Sequence, residues 1–284
     1  MSEHSLRYTV CTLILFAGCG ARVEPVNEVV AFAAEEISLD PAASGWADIP
    51  AYTANLRPQD LVEPRLMEGS TKQVQVQALT NGAEIAFRLQ WDDSTKSDRP
   101  GPAQFLDGCG VQIPRQIELE PPDPQMGEQG SPVDIVFWRA DWQASMDGRG
   151  DTINDLYPNA SVDHYPFEAP SLEEGSTAQQ EMARRYAPAA ASGNLRSGQR
   201  TSPVEALVAE GPGTLSPNQD LAAAGGGQRT ETGWAVVIRR PLPQGLGAGN
   251  RSQIAFAIWE GAHGEVGSRK MITGWTPLAI REEH

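Results

Sequence analysis

Few side chains in this sequence combine a reactive type with a spacing that could do chemistry. The 284-residue chain has three cysteines. Cys11 and Cys19 lie in an apolar run near the N-terminus, so Cys109 is the one cysteine left for the body of the chain. A single cysteine cannot form an internal disulfide, nor a zinc or iron–sulfur site built from cysteines.

Histidines and common catalytic motifs supply no site either. Of the four histidines, His4 and His284 lie at the ends of the sequence, which leaves too few for a three-histidine zinc site. The sequence contains no G-x-S-x-G elbow, phosphate-binding loop, H-E-x-x-H or C-x-x-C-H motif. Asp92, Asp93 and Asp107 could be acid–base groups. Acids near strand ends are more commonly solvated turn residues, and that is the expectation here.

Met126 and Lys270 lie in two loops of unusual composition. Met126 lies in a proline-rich loop at residues 121–127, and Lys270 in a polar loop at residues 264–270. Each loop stands directly beside a strong strand pattern. From residue type and spacing alone, they are only a loop methionine and a surface lysine.

The N-terminus indicates export. Arg7 precedes an apolar run at residues 8–18, which is too short to span a bilayer and has the length of a signal-peptide core. Residues 16–19 resemble a bacterial lipobox ending in Cys19, the residue that would carry the lipid. We therefore expect a lipoprotein-type signal peptide at residues 1–18, a linker at 19–41 and a folded domain at 42–284. The expected location is periplasmic or otherwise extracytoplasmic, with possible membrane attachment through the N-terminal lipid.

The net charge of −15 bears on the class of partner. Nucleic-acid binding depends on neutralising phosphates, so such an acidic surface argues against it. The charge suits solubility and docking to a more basic partner.

The elements that must position these residues are mainly strands. Residues 73–79 and 84–91 each alternate polar and apolar side chains, and Asn81-Gly82 between them is a strong hairpin signal. Further strands are predicted at 133–138, 204–209, 234–239 and 253–259, and a helix at 177–186 with a capping pair at Ser176 and Gln179. The three glycines at 225–227 are expected to form a flexible turn, and residues 187–202 a loop. The pattern predicts an all-β fold, an antiparallel β-sandwich of immunoglobulin-like or DOMON-like type with long loops and one or two short peripheral helices.

Several segments together resemble a known family. They are VQAL at 76–79, EIAFRLQWDD at 84–93, FLDGCGVQIP at 105–114, MG at 126–127, PVDIVFWRADW at 132–142, GPGTL at 211–215, GWAVV at 233–237, RPL at 240–242, AIWEG at 257–261 and KMITGW at 270–275. In order and spacing they resemble the haem b-binding gamma subunit of periplasmic molybdenum enzymes of the type II DMSO reductase family. Its members include the gamma subunits of ethylbenzene and dimethylsulfide dehydrogenases, of selenate, chlorate and nitrate reductases, and of nitrite oxidoreductase.

The resemblance implies one non-covalent haem b between loops of a β-sandwich, with a methionine and a lysine as the axial iron ligands. These roles would fall on Met126 and Lys270, with Met271 as an alternative sulfur ligand. Arg139, Arg239 and Arg240 are candidate partners for the haem propionates by charge alone. With both axial positions filled, the expected role is electron transfer without catalysis.

The partners implied by the resemblance are a molybdopterin catalytic subunit, an iron–sulfur subunit and a soluble cytochrome or membrane electron carrier. The alternative is a carbohydrate-binding or structural β-sandwich without haem. A sugar-binding platform would use exposed tryptophans, and most of the tryptophans in this sequence lie in or beside strand patterns, which favours core packing.

Overall fold

The structure is a computed structural model that describes residues 27–117, 120–150, 153–159, 173, 175–186, 192, 200–247 and 249–281. The predicted signal peptide at 1–18, Cys19 and most of the predicted loop at 187–202 lie outside the described residues.

The described chain is built mainly from β-strands, with three short helices. The strands are β1 (Val29–Ala33), β2 (Tyr52–Asn55), β3 (Arg57–Pro58), β4 (Gln73–Thr80), β5 (Glu84–Asp92), β6 (Gly108–Pro114), β7 (Val133–Arg139), β8 (Val204–Ala209), β9 (Ser216–Pro217), β10 (Ala224–Arg229), β11 (Gly233–Pro241), β12 (Arg251–Trp259), β13 (Met271–Ile272) and β14 (Thr276–Ile280). The helices are α1 (Ala140–Met146), α2 (Ile153–Leu156) and α3 (Thr177–Tyr186). None of the described helices is long and apolar enough to cross a membrane.

The strands form two sheets that share β12. The first has the order β10-β11-β5-β4-β1-β14, and β2 also pairs with β4. The second has the order β3-β13-β12-β6-β7-β8-β9. Residues 251–254 of β12 pair with β14, and residues 255–259 pair with β6, so this strand passes from one sheet to the other.

The core lies between the two sheets and is rich in tryptophan. Trp138 on β7 makes edge-to-face contacts with Trp91 on β5 at 6.4 Å and with Trp234 on β11 at 5.2 Å. All three rings are buried, as are Trp46 and Trp142. The tryptophans therefore serve mainly as core residues, which removes the main support for a sugar-binding platform.

The all-β prediction is confirmed. The β4–β5 hairpin forms at the predicted turn, where the Asn81 side chain accepts hydrogen bonds from the Ala83 and Glu84 amides and Gly82 has φ +84°. Helix α3 begins and ends as predicted. The Ser176 hydroxyl accepts a hydrogen bond from the Gln179 amide, while the Gln179 side chain accepts one from the Gly175 amide.

The predicted linker and the purely antiparallel arrangement both need correction. The linker was placed at 19–41, but β1 lies in the first sheet, with Val29 and Ala31 fully buried. β1 pairs in parallel with both β14 and β4, so the sheet is mixed. The Ala- and Glu-rich composition of this segment hid a short alternation of buried and partly buried residues.

The glycines at 225–227 are not a flexible turn. They belong to β10, which pairs with β11, and they allow other groups to approach closely. A Cβ at Gly225 would lie 2.5 Å from a Val204 methyl, and one at Gly226 would lie 2.5 Å from the Leu39 carbonyl oxygen. A Cβ at Gly227 would overlap the Trp138 ring. The glycines are therefore required by packing.

We expect Gly227→Ala to lower the free energy of unfolding by about 1–3 kcal/mol, because the added methyl collides with the buried Trp138 ring. Gly45→Ala is the control, since a Cβ at this exposed position meets nothing within 4 Å. Urea denaturation of both variants measures the difference. Equal stability of the two variants would contradict this packing role.

Candidate cofactor site

The two faces of the second sheet differ in the size of their side chains. On the face toward the core, β6 presents Cys109, Val111 and Ile113, all buried. On the opposite face, the small residues Gly110, on β6, and Ala255 and Ala257, on β12, lie side by side, because Ala257 pairs with Gly110. Successive residues of a strand point to opposite faces, so this alternation leaves a shallow floor on the outward face.

A cavity of about 540 Å³ lies over this floor. Its size is within the roughly 300–1,000 Å³ of small-molecule and cofactor sites. Phe137 and Trp259 line it and pack edge to face at 5.0 Å, and the Trp259 indole donates a hydrogen bond to the Gly267 carbonyl at 3.0 Å. Ile135, Leu207 and Ile272 add further apolar lining. The cavity suits a largely apolar, flat molecule.

Met126 lines this cavity from the β6–β7 loop. Its backbone has φ +76°, an uncommon conformation for a non-glycine residue, and Gly127 follows with φ +79°. The Met126 carbonyl accepts a hydrogen bond from the Gly211 amide at 2.8 Å, and the Gly127 amide donates to the Asp123 carbonyl at 2.9 Å. These bonds fix the loop beside the end of β8, so the thioether has a defined position in the wall.

Lys270 lines the same cavity from the β12–β13 loop. It lies immediately before β13, which pairs with the Ile258 end of β12, whereas the Met126 loop is anchored beyond β8. In the order β13-β12-β6-β7-β8, the two residues therefore enter from opposite flanks of the sheet. Two loops far apart in sequence bring an amine and a thioether to one cavity.

The Lys270 amine lies in an unfavourable environment for a charge. Burial lowers the pKa of Lys270 from 10.5 to about 8. Within the described residues, its Nζ has no hydrogen-bond or ion-pair partner, and it lies 5.1 Å from the centre of the Trp259 ring. A lysine of lowered pKa gives up its proton readily, and its nitrogen can then donate a lone pair.

Met271 does not share this position. It is 1% exposed and packs in the core between the sheets, since neighbouring residues of a strand face opposite ways. Met271 does not line the cavity. The position of Met271 in the core does not favour it as the alternative sulfur ligand.

Two buried glutamates organise the Lys270 loop. Glu265 lines the cavity, is fully buried and accepts hydrogen bonds from the Ser70 hydroxyl at 2.5 Å and the Glu260 amide at 2.9 Å. Desolvation, which outweighs these hydrogen bonds, raises the pKa of Glu265. Glu260 is also buried, and one of its oxygens lies 2.9 Å from His263 Nδ1. These contacts fix the turn that leads to Lys270.

The expectation that Asp93 and Asp107 are solvated turn acids is wrong. Both are buried, Asp107 completely. Asp107 accepts hydrogen bonds from the Ser97 amide at 2.7 Å, the Gly261 amide at 2.9 Å and the Trp234 indole at 3.0 Å. Desolvation raises its pKa to about 6. Asp107 therefore ties the start of the Lys270 loop to the core.

Only one of the three candidate arginines reaches the cavity. Arg139 lines it and is held by two hydrogen bonds to the Asp141 carboxylate, at 2.5 and 2.6 Å. Arg240 is buried against Asp134, and Arg239 lies 3.4 Å from Glu84. Arg239 and Arg240 belong to β11 in the first sheet and do not line the cavity, so their positions do not favour them as partners of a group bound there.

Comparison with protein families places the chain in a known family. The family model described as ethylbenzene dehydrogenase matches residues 43–271, which is most of the chain and includes both Met126 and Lys270. The chain belongs to the ethylbenzene dehydrogenase family. The predicted resemblance is thereby confirmed at the level of the family.

Two proteins of known name are similar to most of this chain. The putative respiratory nitrate reductase heme subunit ORF7 of Haloferax mediterranei is 24% identical over 279 residues, covering 94% of this chain and 79% of that protein. The chlorate reductase subunit gamma of Ideonella dechloratans is 25% identical over 213 residues, covering 72% of this chain and 63% of that protein.

Solved structures of similar shape come from carbohydrate-binding modules. Two structures of a family 9 module from Caldicellulosiruptor kristjanssonii, with glucose and with cellotriose, give TM-scores of 0.41 and 0.42 at 8% and 7% identity. Each comparison covers 90% of this chain, and 96% and 95% of the module respectively.

Sequence reasoning missed the floor and most of the lining. A signal was present, since β12 places small Ala255 and Ala257 on one face and large Phe256 and Ile258 on the other. Glycine at 108 and 110 repeats the pattern on β6. Small side chains at the outward positions of a strand indicate that another group covers this face of the sheet.

We expect Lys270→Met to raise the stability of the haem-free chain at pH 7, because it removes a poorly solvated ammonium. The folded-state pKa is about 8 and the unfolded value 10.5, so the cost is full below pH 8 and fades as the pH rises towards 10.5. The gain should be about 1–3 kcal/mol at pH 7, since a tenfold change in an ionisation equilibrium corresponds to about 1.4 kcal/mol.

Urea denaturation at pH 7 and pH 10 measures the gain, which should shrink at the higher pH. Lys72→Met, at an exposed lysine, is the matched control and should change little. A loss of stability in Lys270→Met at pH 7 would mean that the ammonium is well solvated or paired.

Proposed function

We propose that this chain is a non-catalytic electron-transfer subunit that holds one b-type haem, with Met126 and Lys270 as the axial ligands. The observation that carries the proposal is that these two residues line one apolar cavity from opposite flanks of the second sheet. The name of the Haloferax relative as a heme subunit gives independent support for the cofactor.

The cavity fits such a group in shape. Gly110, Ala255 and Ala257 provide a flat floor, and a Cβ at Gly110 would already lie 3.5 Å from the Trp259 ring. Larger residues at these positions would fill the space that a macrocycle needs. Phe137 and Trp259 offer aromatic edges, and the described lining holds few charged groups beside Lys270. These features favour a flat, hydrophobic cofactor over a sugar.

The two side chains also fit in chemistry. Bound haem would supply reversible one-electron chemistry at its iron. Lys270 must be neutral to donate its lone pair, and its lowered pKa favours that form. The thioether of Met126 is a soft, neutral donor that would favour the reduced metal and raise the reduction potential. With both residues holding the iron, no position would remain for substrate, as electron transfer requires.

The surrounding residues keep this pair in place. The Glu260–Glu265 contacts and the Asp107 hydrogen bonds hold the loop of Lys270, and the Met126–Gly211 hydrogen bond holds the other loop. The Trp259 ring lies 5.1 Å from the Lys270 amine and shields one side of it. Arg139, anchored by Asp141, is the arginine available at the cavity for an acidic group of the cofactor.

The proposed partners follow from the relatives. Both are named as subunits of reductases, of nitrate in one case and chlorate in the other. We infer that this chain assembles with a molybdopterin catalytic subunit and an iron–sulfur subunit, and exchanges electrons with a soluble cytochrome or a membrane carrier. The substrate reaction would take place in the molybdenum subunit.

The test of the cofactor is spectroscopic. The full chain, expressed with haem available, should show a low-spin b-type spectrum in both oxidation states. Met126→Ala and Lys270→Ala should each lose haem or turn high-spin, because one axial ligand is removed. Met67→Ala, at a residue 74% exposed, and Lys72→Ala are matched controls that should keep the wild-type spectrum.

Two results would overturn the proposal. A folded chain that takes up no haem would end the electron-transfer role and return the haem-free alternative. A low-spin spectrum that survives both substitutions would keep the haem but reject these ligands.

We further propose export with a lipid on Cys19, from the lipobox-like residues 16–19. The chain would then be periplasmic or otherwise extracytoplasmic and held at the membrane. Cys19→Ser should shift it from the membrane fraction to the soluble fraction of cells, because the acyl anchor is lost. Fractionation and immunoblotting measure the shift. A wild-type chain found wholly in the soluble fraction would contradict lipidation.

A further inference from the structure

Exposed apolar side chains surround the mouth of the cavity. Leu61 is 55% exposed, Leu215 42% and Val266 47%, and Val62 is half-buried. Val62, Leu215 and Val266 line the cavity, and Leu61 adjoins Val62. These four residues, here called the apolar collar, come from three different loops. Large exposed apolar groups gathered at one opening indicate a contact surface.

A buried glutamine holds two of these loops together. Gln59 is 4% exposed, and its side-chain amide donates to the Val62 and Ser268 carbonyls at 2.8 and 2.9 Å. Its carbonyl accepts hydrogen bonds from the Leu61 and Val62 amides at 2.8 and 2.7 Å. With this amide fully satisfied, the loop stays rigid while Leu61 points to solvent. The hydrogen bonds of Gln59 therefore hold this part of the collar in its exposed position.

The third loop is fixed in a similar way. The Thr214 hydroxyl accepts a hydrogen bond from the Glu210 amide and donates one to the Gly211 carbonyl, both at 2.8 Å. This tight turn presents Leu215 on the β8 side of the cavity mouth. The Gly211 amide in turn donates to the Met126 carbonyl, so the collar is joined to the proposed iron ligand. A molecule seated on the collar would lie directly over the cofactor cavity.

Acidic side chains flank the collar. Asp60 precedes Leu61, Glu128 lies two residues after Met126, and Glu210 begins the turn before Leu215; all three are exposed. Within the described residues none of them forms an ion pair, whereas Glu63 is neutralised by Arg65 at 2.8 Å. With a net charge of −15 for the chain, this edge attracts a basic partner and repels an anionic lipid surface.

We propose that the apolar collar is the docking surface for a soluble redox protein with an apolar cofactor edge ringed by lysines or arginines. The proposal rests on the haem-binding function above. A few apolar side chains beside exposed acids that form no ion pair among the described residues suit a small, transient contact, as in electron-transfer encounters, rather than a permanent subunit interface. One electron leaves the reduced chain there and reduces the ferric partner, with no bond made or broken.

The test is stopped-flow mixing of the reduced, haem-loaded full chain with a ferric, lysine-rich cytochrome c. The wild-type second-order rate constant should fall as salt is raised, because opposite charges steer the encounter. Leu61→Asn, at the collar residue that does not line the cavity, should lower it by about fivefold or more, since the apolar contact is lost. The spectrum and the rate with ferricyanide, a small oxidant that needs no docking, should stay unchanged in this variant.

The charged rim is tested separately. Asp60→Lys with Glu210→Lys should slow the basic cytochrome by about tenfold at low salt and flatten or invert the salt dependence. Glu231→Lys with Asp48→Lys makes the same charge change at exposed positions outside the collar loops and serves as the control.

The outcomes separate the two proposals. Haem-loaded collar variants that transfer electrons at the wild-type rate would overturn the docking surface and leave the haem function standing. A wild-type rate that rises with salt would also overturn it. A chain without haem would overturn the function and, with it, the redox partner. Collar-dependent binding of the wild-type chain to anionic phosphatidylglycerol vesicles would assign the surface to lipid instead.

Discussion

The Lys270 amine lies in the wall of a largely apolar cavity with no polar partner among the described residues, and this position lowers the stability of the fold. Several contacts of the second sheet and its loops hold the amine in this position. Among the described residues no carboxylate forms an ion pair with Lys270, although two glutamates occupy the same loop. Glu260 and Glu265 use their oxygens on Thr71, Ser70, His263 and a backbone amide of the loop itself. The two glutamates thus stabilise the turn of their own loop, and their oxygens do not pair with the Lys270 amine.

The division between the faces of the second sheet explains how a core and a cavity coexist in one sandwich. Large side chains from both sheets fill the interior, where Trp138 packs against Trp91 and Trp234. Small residues on the outward face do not weaken the packing of the core, because successive residues of a strand point to opposite sides of the sheet. The loops that then cover this face need their own supports, which Gln59, Asp107 and Thr214 supply through backbone amides and carbonyls. Side chains that contact a cofactor are held rigidly when the residues behind them support them in this way.

The part of the fold that the sequence predicts well is the part governed by local alternation. Clear apolar patterns mark β4, β5, β7, β11 and β12, a weaker one marks β8, and each of these strands forms where expected. β10 was missed because its glycines signal a turn, whereas the reason for them is a tryptophan from the other sheet. β1 was missed because its partners, β14 and β4, are remote in sequence. Non-local packing decides such segments, and one sequence does not display it.

The candidate site was harder to predict from the sequence than β1 and β10. Nothing local distinguishes Met126 from Met67, or Lys270 from Lys72, so only the family resemblance selected the pair. What the structure adds is a reason that is independent of that resemblance: of these four residues, Met126 and Lys270 line the cavity, and the other two are exposed. The positive φ of Met126 carries the argument one step further. A non-glycine residue in this conformation costs free energy that a simple loop would avoid by using glycine, as the next residue does. The proposed role of the Met126 sulfur would account for a methionine at this position.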